Sequence, residues 1–136
     1  TSSKNKISES KKFGASKTLT YSELKDYQKA FDFILVTAHA NLDWSSLLDT
    51  LDVDGNICFV GIPPGTVNVH IFSLLLKRLS ISANPGGSRK MMSEMLKIAA
   101  NNNIKPKIEK FKFDKINNAI KKVKSNKIRY RAVLEY

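Results

Sequence analysis

At 136 residues, 42% hydrophobic and 26% charged, the chain has the make-up of a globular protein with one core, or one core and part of another. Its net charge of +11 comes from 23 Lys and Arg against 12 Asp and Glu, and its single cysteine excludes both an internal disulfide and a cysteine-based zinc site. The longest apolar run, IFSLLL, is far short of a bilayer span, and TSSKNKISESKK resembles neither a secretory signal nor a transit peptide, so the expected location is cytoplasmic without membrane contact.

Along the chain, KTLTY reads as a weak strand and FDFILVT, residues 31–37, as a strong one, apolar on both faces as a strand covered on each side must be. NLDWSSLLDTL then places Trp44, Leu47, Leu48 and Leu51 on one helical face, with Asn41 or Asp43 as N-cap. DGNICFVGIPPG follows as a turn, a second buried strand that takes in Cys58 as a small hydrophobe, and a loop that continues neither strand nor helix. VHIFSLLLKRL reads as a helix opened by His70, and LSISA as a third strand. Strand, helix, strand, helix, strand with short connections implies parallel strands and right-handed crossovers. In such sheets ligands sit beyond the carboxyl ends of the strands, so the side-chain-poor GIPPG loop is placed to bring backbone close to a ligand.

Ser88 caps a longer helix, RKMMSEMLKIAANNN, whose stripe of Met91, Met92, Met95, Leu96 and Ile98 reads as core packing in preference to a binding surface. Past Asn103 the period changes. KIEKFKF alternates, DKINNAIKKV carries Ile116, Ala119, Ile120 and Val123 on one helical face behind an Asp114 cap, and IRYRAVLEY alternates again. This places a domain boundary between residues 103 and 104, and 104–136 is too short to form a core alone. That last segment also holds most of the positive charge, which reads either as solvated surface lysines or as a footprint for nucleic acid or an acidic partner. Nucleic acid is the less favoured, because Phe111, Phe113 and Tyr130 fit core periodicity and leave little to stack on bases.

The catalytic inventory is thin. His39 and His70 stand apart, no paired carboxylates occur at ligand spacing, and neither a GxGxxG fingerprint nor a Walker loop is present. His39, just past the strongest strand, reads as a ligand contact or as a polar loop residue. The paired glycines of NPGGSRK offer N–H groups to an anion only weakly.

The ordered set KKFGASKTLTY, FDFILVTAHANLDWSSLLDTLDVDGNICFVGIPP, GGSRKMMSEMLKIAANNNIKPKIEKF and IRYRAVL resembles the zinc-dependent medium-chain alcohol dehydrogenases of the cinnamyl-alcohol-dehydrogenase type. The resemblance implies an α/β fold: residues 1–103 as the C-terminal half of a doubly wound, Rossmann-type parallel sheet that binds NADP(H), and 104–136 as a short α+β segment of the GroES-like catalytic domain. It implies that Gly61 and Ile62 lie beside the nicotinamide, with Thr37 and Ala38 as a second wall. Asn84 and Pro85 fall where backbone contacts the carboxamide, although ANPG departs from the usual sequence there. Ser2, Ser3 and Lys6 fall where an adenosine 2′-phosphate is bound, and Arg131 where the pyrophosphate is paired.

The family's zinc ligands, both catalytic and structural, match no position of this sequence, and neither do its glycine-rich turn and first strand. No residue here is therefore assigned to catalysis or to metal. The expectation is a C-terminal fragment, inactive alone, that completes itself with the missing half, held in a separate chain if not a continuous one. Homodimerisation is expected through the strand at Leu79 to Ala83. Without its neighbour, FDFILVT is left as an exposed hydrophobic edge.

Overall fold

The computed structural model describes residues 6–136, which divide into two compact units, the first ending at Gly86 and the second running Gly87–Tyr136. In the first unit, β1 (Phe31–Val36), β2 (Leu51–Phe59) and β3 (Ser80–Ala83) form a sheet in the order β1-β2-β3, all parallel. Helix α1 (Ile7–Lys12) precedes it, α2 (Trp44–Asp49) links β1 to β2, and α3 (Ile71–Lys77) links β2 to β3. The expected α/β class with parallel strands is the observed one.

Helix α2 forms where its apolar face meets the sheet. Asp43 is the N-cap: its carboxylate accepts from the Ser46 N–H at 3.2 Å and from the Ser46 hydroxyl at 2.6 Å, filling donors the first turn leaves open. Trp44, Leu47 and Leu48 then pack with Val36, Leu51 and Ile57 into the one buried cluster, and Trp44 meets Phe59 edge-on at 5.3 Å. Ile34 and Val36 lie opposite Ile57 and Phe59 in register, so this is the α2 face of the sheet.

Several local expectations give way to the structure. KTLTY is not a strand; Thr20 instead exchanges hydrogen bonds with Glu23 in a capping box that opens a 3₁₀ turn at Tyr21–Asp26. The other face of β1 has no cover among the described residues, so Phe33 and Leu35 are about half exposed where burial on both faces was expected. Cys58, on that same face, is half-buried. Strand β2 begins earlier than DGNICFVG implied, and Asp54 and Gly55 form a bulge inside it: the register jumps from Phe31 opposite Leu51 to Phe33 opposite Asn56. Asp54 adopts φ 64°, and a Cβ on Gly55 would stand 2.9 Å from the Asp52 carbonyl oxygen, which is why Asp-Gly occupies the bulge. Arg78 closes over it, donating from Nε and Nη2 to the two Asp54 oxygens at 2.8 and 2.6 Å.

In the second unit, α4 (Arg89–Asn101) is capped by Ser88, whose hydroxyl accepts from Met91 N–H at 3.2 Å. Its Met91, Met92, Met95, Leu96 and Ile98 are all more than half exposed, so the stripe read as core is an open apolar surface. Strands β4 (Ile108–Lys112) and β5 (Arg131–Glu135) pair in parallel, with α5 (Ile116–Lys124) as the crossover between them. Asp114 is not the cap of α5; a 3₁₀ turn over Phe113–Lys115 runs into it and Lys115 takes the cap position. Ala119 is the buried residue of α5, facing Ala132 and Leu134 of β5. Glu109 ties the unit together, accepting from the Lys122 ammonium and from the Arg129 N–H, which hold its carboxyl below the usual range.

Leu48 is 2% exposed at the centre of the cluster. Leu48→Ala is expected to cost about 2–5 kcal/mol of stability through the cavity it leaves. Urea titration read by the fluorescence of Trp44, the chain's one tryptophan, measures it; a loss below 1 kcal/mol on the order-of-magnitude scale for surface sites would mean that Leu48 is not a core residue.

The Ser46 hydroxyl and N–H hold the Asp43 carboxyl below its ordinary 3.8. The ionised form is thus favoured in the folded state, and the stability it adds is present above that value and lost as pH falls through the lower, folded one. Asp43→Ala should therefore unfold at a lower temperature than the parent at pH 7, with the gap closing below pH 3.8. A gap that stays constant to pH 2.5 on the rough scale of a carboxylate titration contradicts the assigned cap.

Candidate cofactor-binding site

Val36, Phe59 and Ala83 lie in register at the carboxyl ends of the three parallel strands, and the loops that leave them continue to bond. The Val36 carbonyl accepts from both Val60 N–H (3.0 Å) and Gly61 N–H (2.8 Å), and the Phe59 carbonyl accepts from Asn84 N–H at 2.9 Å. Thr37, Ala38, Gly61 and Asn84 are thereby brought to one edge of the sheet.

The approach at Gly61 is closer than any other residue could make. A Cβ there would lie 2.7 Å from the Thr37 carbonyl carbon, 2.8 Å from its oxygen and 2.9 Å from the Ala38 oxygen. All three atoms are backbone, which cannot swing aside as a side-chain tip can. One residue on, the Ile62 carbonyl accepts a hydrogen bond from His39 Nδ1, so the imidazole carries its proton on Nδ1 and joins the two loops a second time. Through this bond His39 holds a loop. Sequence reasoning could not find this bond, because nothing local couples residues 23 positions apart.

Ile62 itself is 81% exposed, projecting from the edge. Across the sheet, Asn84 turns its side-chain oxygen onto the Gly86 N–H at 2.9 Å, fixing the Asn84-Pro85-Gly86 turn in which Gly86 adopts φ 152°. Residues 37–38, 61–65 and 83–87 contain no charged side chain. The edge is thus a neutral surface of backbone and small side chains, suited to a flat, uncharged group. Between the outer parts of the same two loops lies an open cleft of about 590 Å³ lined by Asn41, Asp43, Trp44, Thr66 and Asn68. Beside it, burial pushes the Tyr21 phenol up to about 12, with Asp43 adding to the effect.

The remaining sequence-derived positions lie elsewhere. Lys6 is exposed at the start of α1, and Ser2 and Ser3 fall outside the described residues. Arg131 opens β5 in the second unit, opposite Ile108, with its side chain exposed. His70 is the exposed N-cap residue of α3. Among the described residues no three His, Cys, Asp or Glu side chains gather to hold a metal, so zinc does not fit the groups present.

A family model described as zinc-binding dehydrogenase matches residues 1–101. The chain belongs to that family. Within it, the chain is 40% identical over 106 residues to an aldehyde reductase AdhA of Synechocystis, a match covering 78% of this chain and 32% of the relative. To NADP-dependent alcohol dehydrogenase C 1 of Mycolicibacterium smegmatis it is 32% identical over 133 residues, covering 96% of this chain and 38% of the relative. A solved cinnamyl alcohol dehydrogenase of Sorghum bicolor superposes with TM-score 0.89 at 26% identity, over 98% of this chain and 39% of that one. The chain therefore spans between a third and two fifths of the length of these zinc-dependent medium-chain dehydrogenases, a fragment of the family's full extent. The expected resemblance is borne out.

Gly61→Ala tests the close approach. Seating the methyl group requires the Thr37–Ala38 backbone to move, at an expected cost of about 1–3 kcal/mol. Amide exchange in residues 37–39 and 60–62 should accelerate in the variant; unchanged exchange and unchanged melting would show that the loops do not pack as described.

Proposed function

We propose that this chain is the nicotinamide-side portion of an NADP(H)-dependent zinc alcohol dehydrogenase. The observation that carries the reading is the convergence of Thr37, Ala38, Gly61, Ile62 and Asn84 at the carboxyl edge of a parallel sheet, the place where open α/β sheets bind ligands. A nicotinamide ring is flat and, in its reduced form, uncharged, and the edge is neutral and rich in backbone. Gly61 and Ile62 would lie beside the ring and Thr37 and Ala38 would form an adjoining wall near the ring and its ribose, with Asn84 and Pro85 meeting the carboxamide. Ser2, Ser3 and Lys6 would receive the 2′-phosphate of the adenosine, and Arg131 the pyrophosphate, both as donors to phosphate oxygens.

In the whole enzyme a hydride passes between the cofactor and the carbon of a primary alcohol or aldehyde, while a proton is exchanged at its oxygen. In this reading zinc would supply Lewis-acid polarisation of that oxygen, held by ligands from the part of the family's length that this chain does not span. The chain alone is therefore a cofactor wall without catalytic groups. Residues 104–136 belong, in this reading, to the catalytic domain, and completion requires the N-terminal half, continuous or separate. We further place the assembled enzyme in the cytoplasm, as a homodimer joined through the strand at Leu79 to Ala83. No helix among the described residues is long and apolar enough to cross a membrane.

Exposed apolar surface supports incompleteness. The chain exposes 10674 Å². Two independent folded bodies of its two units' sizes would expose about 8,600 Å². Exposed apolar side chains include Phe33 and Leu35 of β1, Ile71, Phe72, Leu75 and Leu76 of α3, and the methionines of α4.

Reduction of primary aldehydes by NADPH, followed at 340 nm by the loss of nicotinamide absorbance on the order-of-magnitude scale of an ordinary dehydrogenase assay, separates the possibilities. The chain alone should show none. Mixed with the portion of the Mycolicibacterium relative that it does not match, it should acquire zinc-dependent turnover. Zinc-dependent reduction by the purified chain alone would overturn the reading.

A further inference from the structure

The charge of the chain is not spread over it. Gly87–Tyr136 contains 14 Lys and Arg against 4 Asp and Glu, a net charge of +10, whereas the preceding residues contain 9 against 8. A general compositional preference for lysine would raise both units alike. It would not also deplete one of them of acids. In the second unit Lys110 pairs with Glu135, Lys115 with Asp114 and Lys122 with Glu109. Lys112, Lys121, Lys124 and Lys127 are exposed and, among the described residues, meet no carboxylate within 4 Å. A folded body of 50 residues has a radius of gyration of about 10 Å. The screening length at physiological salt is about 8 Å, so lysines that are neighbours on this body act together on a polyanion.

Exposed aromatic rings accompany the charge. The parallel register sets Lys112 opposite Glu135, and the next residues, Phe113 and Tyr136, stack with centroids 4.8 Å apart and planes 20° from parallel. Phe113 is 47% exposed and Tyr136 fully so, which replaces the core reading of Phe113. Tyr130, also read as core, is half exposed. Lys112 and Lys115 flank Phe113 in sequence. A basic body that presents aromatic faces at the end of a small sheet has the two components of sequence-tolerant single-strand recognition, cations for the backbone and rings for the bases. The outward side of α5 adds Asn117, Asn118 and Lys121, opposite its apolar stripe, and Lys124 is exposed at the border of that stripe.

We propose that the second unit binds single-stranded nucleic acid through this basic surface, with the Phe113–Tyr136 pair stacking on a base. The inference goes beyond the dehydrogenase reading and is independent of it. An anionic membrane would satisfy the lysines equally well but gives no reason for a stacked, exposed ring pair beside them; bases do.

Fluorescence anisotropy of a labelled 12-nucleotide oligothymidylate, titrated with the full chain at several salt concentrations, tests it, the length being on the order of one single-strand site. Log affinity should fall linearly with log salt, at about 0.7 per neutralised phosphate for a single strand. The Lys121→Glu/Lys124→Glu double variant should flatten that slope by about 1.4. Tyr136→Ala, at a fully exposed position that cannot unfold the chain, should weaken binding about tenfold while leaving the slope unchanged, as loss of one stacked base requires. Absence of binding at low salt overturns the proposal. So does an affinity indifferent to Tyr136→Ala, which would mark a general polyanion surface, or equal binding to phosphatidylserine vesicles.

Discussion

The contact on which the candidate site depends is the approach of Gly61 to the backbone of Thr37 and Ala38. Parallel strands fix their ends at about 4.8 Å spacing, but the loops beyond are free to diverge. Here they do not, because the Val36 carbonyl takes two N–H groups from Val60 and Gly61, and because Gly61 has no Cβ to hold the loops apart. With the backbones that close, His39 reaches the Ile62 carbonyl and fixes the following turn. The neutral, backbone-rich character of the edge follows from the same fact. Where two main chains meet directly, no side chain can stand between them.

The sheet itself rests on a small core. Six buried residues around Trp44 and Leu51 hold α2 against β1 and β2, and the cap at Asp43 sets where that helix begins. Farther round, Lys77 donates to the carbonyls of Asp49 and Leu51, and Arg78 grips Asp54, so the end of α3 is tied to the start of β2 at the pole of the sheet opposite the site. These exposed links contribute little energy individually. Their effect is geometric: they hold the bulge that sets the register of Phe33, Ile34 and Leu35 against β2, and so the level at which all three strands end.

What was legible in the sequence was what local chemistry decides. The doubly apolar FDFILV, the Asp43 and Ser88 caps, the strand ending in GIPPG and the parallel topology all follow from period and capping, and they suffice to bring residues 37, 38, 61 and 84 to one edge. Most of the failures share a cause. KTLTY, the methionine stripe and the rings at Phe113 and Tyr130 were read from periodicity, which reports which side of an element is apolar and not whether anything lies against it. In α4 the stripe is where the pattern puts it, and it is bare. The Asp114 cap fails differently, because the 3₁₀ turn at Phe113–Lys115 moves the cap one residue on, to Lys115. The bond from His39 to Ile62 had no sequence signal at all.

The two units stand in different physical situations, and the difference bears on what each can do. The first is nearly neutral and has a core; its open surfaces are apolar, at β1 and α3, and apolar surface of that extent is stable in water only when something covers it. The second has one buried residue, Ala119, and its cohesion rests on strand pairing and on Glu109, which gathers Lys122 and the Arg129 N–H from α5 and the segment before β5. A body so lightly packed cannot offset +10 of self-repulsion through burial alone. Counter-charge from outside lowers that repulsion whichever anion supplies it. The excess charge that strains the second unit in isolation is therefore also what gives it affinity for phosphate, and its stability and its binding should rise together.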